Sequence, residues 1–502
     1  MKVLAMYLPQ FHRVMENDQW WGTGFTEWTA AKGAEKLYEG HYQPRIPKNQ
    51  YYYNLLDKDA MQWQAELMKK YHIDGMCIYH YWFKDSRRIL EKPAENLLKW
   101  KNIEMPFCFY WANVTWARTW SNLQNKTPWT NAYEPEASDE TNGILLEQKY
   151  GGEKHWREHF EYLLPFFQDE RYIKIDGKPL FMIYVTEDIP CLADMLDCWE
   201  NLAVEYGWRG LYIIGSRCKF NREKCIDAEI CLEPSNAFRL MPQVRLENSV
   251  RVFDYDDFWR KILNTPSRAG TYFQGVVGYD DTPRRGKDGY VIEGATPDKF
   301  AGYLTELMAK SCANNCDIVF INAWNEWGEG MYLEPDEKYG EEFLAAIPYA
   351  KNNYMSYVEK YRISSSDDEQ NKELNHLKGQ LDKERYYLKI LDQWMTLREN
   401  GFSVKKRLID LGYKKIALYG YSILGRHLYM ELAGSEAAIQ YLIDRQGDNL
   451  HLELPVYLPT DSLPKADVVI VASTYYYSEI YHFLKDKGIE RIISLETILK
   501  EF

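Results

Sequence analysis

The 502-residue sequence contains no apolar stretch approaching 18 residues, so no part of it reads as a membrane-spanning helix. It opens on "MKVLAMYLPQ", which enters a strand-like run at once and offers no leader with an apolar centre and a cleavage site. Cysteine is sparse and odd in number, nine in all, and no two stand as Cys-x-x-Cys. Cys312 and Cys316 lack a second pair of ligands, so no zinc site and no other metal site is expected. Several of the thiols sit inside apolar runs such as "GMCIYHY" and "PFCFYWA", the usage of a reduced, cytoplasmic protein. Basic charge is in deficit, with 61 Lys and Arg against 74 Asp and Glu, which excludes the positive footprint of a nucleic-acid binder. The expectation is a cytoplasmic protein with no membrane span, no nucleic-acid partner and no bound cofactor.

Aromatic residues are present in abundance, including 17 Trp and 40 Tyr. Rings with an apolar face and a polar edge suit large hydroxylated ligands such as sugars, and they also fill ordinary cores. Eight short apolar runs recur along the first 350 or so residues: "KVLAMYL", "GMCIYHY", "PFCFYWA", "PLFMIYV", "GLYIIGS", "AEICLEP", "YFQGVVG" and "DIVFINAW". Near-continuous apolar runs mark parallel strands covered on both faces. Amphipathic helical patterns such as "DAMQWQAELMKKYHID" and "PDKFAGYLTELMAKSC" precede several of them. The pattern predicts an α/β chain whose first domain, residues 1–362, is a (β/α)₈ barrel, with a doubly wound sheet as the alternative.

The polar run "SSSDDEQN" marks a boundary, and residues 363–400 read as a helical linker. Leu374, Leu377, Leu381, Leu388, Leu391 and Met395 form a heptad-like stripe along it, which packs on its own domain or supports self-association. Residues 401–502 restart an α/β pattern and predict a small Rossmann-like accessory domain. There Gly420 and Gly425 follow a strand, and Asp444 ends the next strand about twenty residues on. This is a degraded dinucleotide turn, because Ser422 stands where a second glycine lets pyrophosphate approach.

In a (β/α)₈ barrel the working side chains gather where the strands end. Those positions supply Gln10, His80, Trp82, Trp111, Asn113, Arg118, Trp120, Tyr184, Glu233, Asp280, Arg284, Asn325 and Trp327 as candidate substrate-binding residues. In "FINAWNEWGEGMYLEPD", Glu326 and Glu329 lie three apart among indoles at the end of the eighth run. A carboxyl pair in apolar surroundings is what glycosidic chemistry requires, one group protonating the leaving oxygen and the other acting on the sugar. The plainer alternatives are that either glutamate is an ion-pair partner of Arg284 or Arg285, and that His80 is a core histidine. Glu334 and Asp336 read as loop or capping acids.

Together "GFTEW", "HYQPR", "YHYWF", "WANVTWARTW" and "NEWGEGMYLEP" resemble the WbsX-like proteins of bacterial surface-polysaccharide loci, which are related to the family 99 glycoside hydrolases. Characterised members of that hydrolase family are retaining endo-α-mannosidases and mannanases. The resemblance implies catalysis by Glu326, as base on the substrate 2-hydroxyl in forming a 1,2-anhydro sugar, and by Glu329, as general acid and then base. It implies an oligosaccharide or polysaccharide substrate. Two positions depart from the hydrolase motif: Gly328 stands where His is common, and Met331 where Thr is. The WbsX-like branch is commonly labelled glycosyltransferase, so the readings are hydrolase or transglycosidase, glycosyltransferase in O-antigen or capsule assembly, and non-catalytic glycan-binding protein.

Overall fold

The computed structural model describes residues 1–117, 144–217, 225–241, 245–266, 270–362, 368–445, 447, 452 and 454–500. The chain divides into two compact units, Met1–Asp368 and Glu369–Phe502.

The first unit is built on eight parallel strands: β1 (Lys2–Tyr7), β2 (Gly75–His80), β3 (Phe107–Trp111), β4 (Lys178–Ile183), β5 (Tyr212–Gly215), β6 (Ala228–Ile230), β7 (Thr271–Tyr272 and Gln274–Val276) and β8 (Ile318–Asn322). Each pairs with the next, and β8 returns to β1 in the register Lys2 with Ile318 through Ala5 with Ile321. β7 closes the ring in two pieces. Thr271 and Tyr272 pair with β6, while Gln274–Val276 pair with β8, and the Phe273 carbonyl between them accepts from Phe320 N at 3.1 Å. The result is the expected (β/α)₈ barrel. Its strands are mostly apolar because the interior and the helical layer each cover one face; every residue of β3 and β8 is buried. Burying each large side chain on those strands contributes about 1.5–3 kcal/mol.

The helices of this unit include α1 (Glu27–Gly33), which follows β1, the one-turn α2 (Thr282–Arg285), which follows β7, and α3 (Pro297–Ala313), which leads into β8. Thr296 caps α3 by accepting from Lys299 N, and Pro297 occupies its first position, where no N–H is needed.

The second unit begins in the long helix α4 (Asp368–Glu399). It continues through the parallel strands β9 (Lys415–Tyr419), β10 (Ala438–Ile443), β11 (Val456–Tyr457), β12 (Val468–Val471) and β13 (Ile492–Ser494), with α5 (Ile423–Leu432) between β9 and β10. The sheet order is β11-β10-β9-β12-β13. Tyr387, Ile390 and Trp394 of α4 belong to this unit's buried core, whereas Leu388 and Met395 of the expected stripe are 59% and 45% exposed. The buried face of the helix is thus set by its aromatic residues, one position away from the leucine stripe.

Candidate active site

Two Glu-Trp dipeptides build the centre of the site. Glu27 and Trp28 open α1 after β1, and Glu326 and Trp327 follow β8. The two indoles pack at 5.5 Å, and Trp28 Nε1 donates to the Tyr53 carbonyl at 2.8 Å. Beyond Glu326 the chain makes a single 3₁₀ turn, Trp327–Glu329. In such a turn side chains three apart eclipse one another, so Glu326 and Glu329 face the same way. What they face is Arg284. Its Nη2 lies 2.9 Å from Glu326 and 2.7 Å from Glu27, its Nε donates to Glu27 at 2.9 Å, and its Nη1 pairs with Glu329. Gly328 has to be glycine here, because a Cβ would meet Glu27 Oε1 at 1.8 Å.

Asp280 anchors Thr282, the first residue of α2, the turn that carries Arg284. Asp280 accepts from Gln43 Nε2 at 2.7 Å, from Thr282 N at 3.1 Å and Thr282 Oγ1 at 2.6 Å, and contacts His41 Nε2 at 2.9 Å. His41 Nδ1 accepts from Leu37 N, so the proton on Nε2 is the one given to Asp280. Burial alone would raise the Asp280 carboxyl, but His41 and Arg45 hold it below the ordinary value. Asp281, buried beside it, is pushed up to about 6 by desolvation against the pull of Arg285.

The carboxylates are electrostatically unequal. Burial pushes Glu326 up to about 8, opposed by Arg284 and reinforced by Glu329 and Glu27. Its side chain is 7% exposed against 25% for that of Glu329, which reaches toward solvent. The raised proton affinity of Glu326 favours its protonated form at neutral pH, while Glu329, the more exposed of the two, pairs with Arg284. A ring of phenols surrounds them. Burial first, and then the charges of Glu326 and Glu329, raise Tyr79, Tyr81 and Tyr184.

Of the candidates read from the sequence, the structure brings together Glu326, Glu329 and Arg284, with Tyr184 in their field. Gln10 is half-buried, and its carbonyl accepts from Glu27 N at 3.1 Å. The others turn into the protein. His80 Nε2 lies 2.8 Å from His159 Nε2, and Trp82 stacks on His159 at 4.4 Å and 4°. Burial drives the imidazole of His80 down to about 3. Trp111 meets His159 edge-on, and Asn113 ties the chain to Val185 through both its amide atoms. Asn325 is spent on the Leu8 backbone, and Trp327 stacks on Tyr332 at 3.7 Å. Glu233 is buried, accepts from Ala237 N at 2.9 Å and is pushed up to about 8 by desolvation; Asp280 is engaged by Gln43, His41 and Thr282. As placed, these side chains make their contacts within the protein. Trp120 and Arg118 lie outside the described residues.

Glu334, read as a loop acid, is a core residue. It accepts from Tyr53 Oη, Gln64 Nε2, Trp324 Nε1 and Trp327 Nε1 at 2.7–2.9 Å, and burial pushes it up to about 7. Sequence reasoning missed Glu27 and Tyr79. The repeated Glu-Trp dipeptide was the available signal for the first, and strand alternation for the second.

In the second unit Gly420 has φ +89°, and a Cβ on Gly425 would lie 2.1 Å from the Gly420 carbonyl oxygen. Asp444 accepts from Tyr421 N at 2.8 Å, so one of its oxygens is engaged by the turn itself. Among the described residues no group of acids, histidines and cysteines is arranged to hold a metal ion, and no helix is long and apolar enough to cross a membrane.

Fold and site define a (β/α)₈-barrel protein with paired carboxyl groups at the carboxyl ends of its strands. Residues 3–347 match the family described as "Glycosyltransferase WbsX", and the chain belongs to that family. Similar proteins include one named "Uncharacterized protein WxcX" in Xanthomonas campestris pv. campestris, strains B100 and ATCC 33913, each 31% identical over 360 residues. The match takes in 69% of this chain and 49% of each relative, so the chain spans about half the length of those proteins. Among solved structures, the GH99 endo-alpha-mannosidase from Bacteroides thetaiotaomicron is similar at 15% identity and TM-score 0.43, over 72% of this chain and 98% of that one. A "Glycoside hydrolase-like protein" is similar at 12% identity and TM-score 0.42, over 70% and 93%.

Proposed function

We propose that the protein is a glycan-active enzyme, a retaining glycoside hydrolase or transglycosidase. Its substrates are α-linked sugars, manno-configured or related, in bacterial surface-polysaccharide metabolism. The observation that carries this reading is the single guanidinium of Arg284 holding Glu326 and Glu329 together, with Glu326 the more deeply buried and raised in proton affinity. Two carboxyl groups so placed at the mouth of a barrel can supply a proton for a leaving oxygen and a base for the sugar. In the resemblance-implied order, Glu326 takes the proton of the 2-hydroxyl while that oxygen attacks the anomeric carbon. Glu329 protonates the departing oxygen and later draws a proton from the water that opens the anhydro ring. The resting proton on Glu326 favours the reverse order. A leaving-group series separates them. With an activated aryl glycoside, replacing the true general acid by Gln costs little, whereas replacing its partner costs about 10²-fold or more.

The deciding measurement is product analysis by mass spectrometry on α-linked manno-oligosaccharides and bacterial glycan fragments, for wild type and Glu329→Gln, with and without nucleotide-sugars. Cleavage without nucleotide that collapses in the variant is the expected result. The family's description favours a second reading, a glycosyltransferase. Chain extension that depends on a nucleotide-sugar would replace the hydrolase reading with that one.

A further inference from the structure

One cavity of the barrel unit, about 300 Å³ in volume, is lined in part by Gly330, the residue after Glu329. That is the lower end of the volume range of small-molecule sites. Its walls are aromatic, with Tyr42, Tyr339, Tyr332 and Phe343 among the lining residues. Two cations line it as well. Arg45 lies over the rings of Tyr42 and Tyr332 at 5.5 and 5.8 Å, and Lys338 over those of Tyr42 and Tyr339 at 4.3 and 4.6 Å.

Neither cation is well matched by an anion. Arg45 reaches Asp280 only at 3.7 Å and the Gly330 carbonyl at 3.4 Å, and shares the Tyr332 phenol. Its Nε is buried with no hydrogen-bond partner among the described residues. Lys338 has no carboxylate within ion-pairing distance among the described residues. Two of the nearby acids are already engaged. Asp280 accepts from His41, Gln43 and Thr282. Asp336 accepts from Tyr332 Oη at 2.8 Å and from the backbone N–H groups of Lys338 and Tyr339 at 3.1 and 2.6 Å. Of the other acids, Glu39 is exposed to water and Glu293 is half-buried. A guanidinium and an ammonium lining a cavity with phenol rings in its wall fit a ligand that brings an oxyanion on a flat, hydroxylated body.

We infer that this cavity is a subsite for an acidic sugar unit, whose carboxylate or phosphate lies between Arg45 and Lys338 while its ring packs on Tyr42 and Tyr339. The substrate glycan would then carry a negative charge one or more units from the bond at Glu329. The sugar half of the inference rests on the proposed function; the anion half does not.

Isothermal titration calorimetry of the full chain tests it with three probes: methyl glucuronide, methyl glucoside and inorganic phosphate. Glucuronide is expected to bind and glucoside not. The dissociation constant should rise at least about tenfold in Lys338→Gln and with added salt. Arg45→Gln is expected to act likewise, but Arg45 is packed between rings, so exposed Lys338 is the variant that decides. Glu329→Gln should bind glucuronide as wild type does. Phosphate binding with the same Lys338 dependence, in place of glucuronide, would assign the oxyanion to a sugar phosphate. Equal binding of glucoside and glucuronide, or anion binding indifferent to Lys338, would overturn the inference. A protein that binds glucuronide in this way but cleaves no glycan would overturn the hydrolase reading and leave the subsite standing.

Discussion

Arg284 faces Glu27, Glu326 and Glu329, three acids on one cation. Replacing it by Gln leaves the acids to repel one another in a partly dry site. The expected cost in urea unfolding at pH 7 is about 3 kcal/mol. The loss should shrink at pH 5, because the acids, freed of their counter-charge, take up protons more readily. An equal loss at both pH values would mean that Arg284 acts by packing alone. The sequence showed both glutamates and the arginine, and even the possibility of an ion pair. It could not show that one arginine takes both, since Arg284 comes to the turn from a separate strand end. At residue scale, strand parity separates neighbouring candidates. Along a barrel strand alternate side chains point to the interior and to the helices. Tyr79 and Tyr81 lie in the field of the carboxylates, so His80 between them points outward and meets His159. A place at a strand end does not by itself bring a side chain to the site; its parity along the strand decides.

At the scale of elements, the 3₁₀ turn after β8 decides whether two glutamates three apart can cooperate. A loop of that sequence has many conformations; this one is fixed by Glu334, which gathers both neighbouring indole N–H groups. Gly328→Ala would push a methyl group into the Glu27 carboxylate, and the expected loss is about 2 kcal/mol of stability with a fall in turnover. Full activity in that variant would show that Glu27 has room to withdraw. The same contact accounts for the departure from the hydrolase motif at this position, since Glu27 occupies the space that a larger side chain would need. In the second unit, Trp394→Ala removes a buried indole and its hydrogen bond to Glu431 at 3.1 Å. Calorimetry should show that unit destabilised by about 3–5 kcal/mol, while Leu388→Ala on the exposed face changes little. Strand boundaries were less legible than strand existence: "YFQGVVG" is in fact a strand broken at Phe273, where the chain passes from one neighbour to the other.

Over the whole molecule, several acids are buried at a cost. Glu326 and Glu233 are raised to about 8, Glu334 to about 7 and Asp281 to about 6. Such groups favour the folded state fully below their ordinary values near 4 to 4.5. That contribution is lost as pH rises through the raised values. Asp280 and Asp169 are depressed, and their contribution is lost in strong acid. Barrel stability should therefore peak at mildly acidic pH and decline between about pH 5 and 8. Glu233→Gln, which keeps an acceptor for Ala237 N, should flatten part of that decline in a series of thermal melts. A barrel whose melting point rises steadily to pH 8 would contradict the assignment. The (β/α)₈ plan itself was legible because eight apolar runs separated by helical patterns admit few alternatives. The helix face of α4 was not, because leucines and aromatics competed for the same groove and the bulkier rings won.

The arginine with its three acids also makes the site a store of protons. With every group ionised it would hold two excess negative charges, and the proton on Glu326 relieves part of that. A ligand that draws Arg284 away from Glu326 leaves the acid a stronger base, and near pH 8, where Glu326 is only partly protonated, the protein must take up hydrogen ions as it binds. The heat of binding would then vary with the ionisation enthalpy of the buffer, so the same titration in phosphate and in Tris would count the protons exchanged.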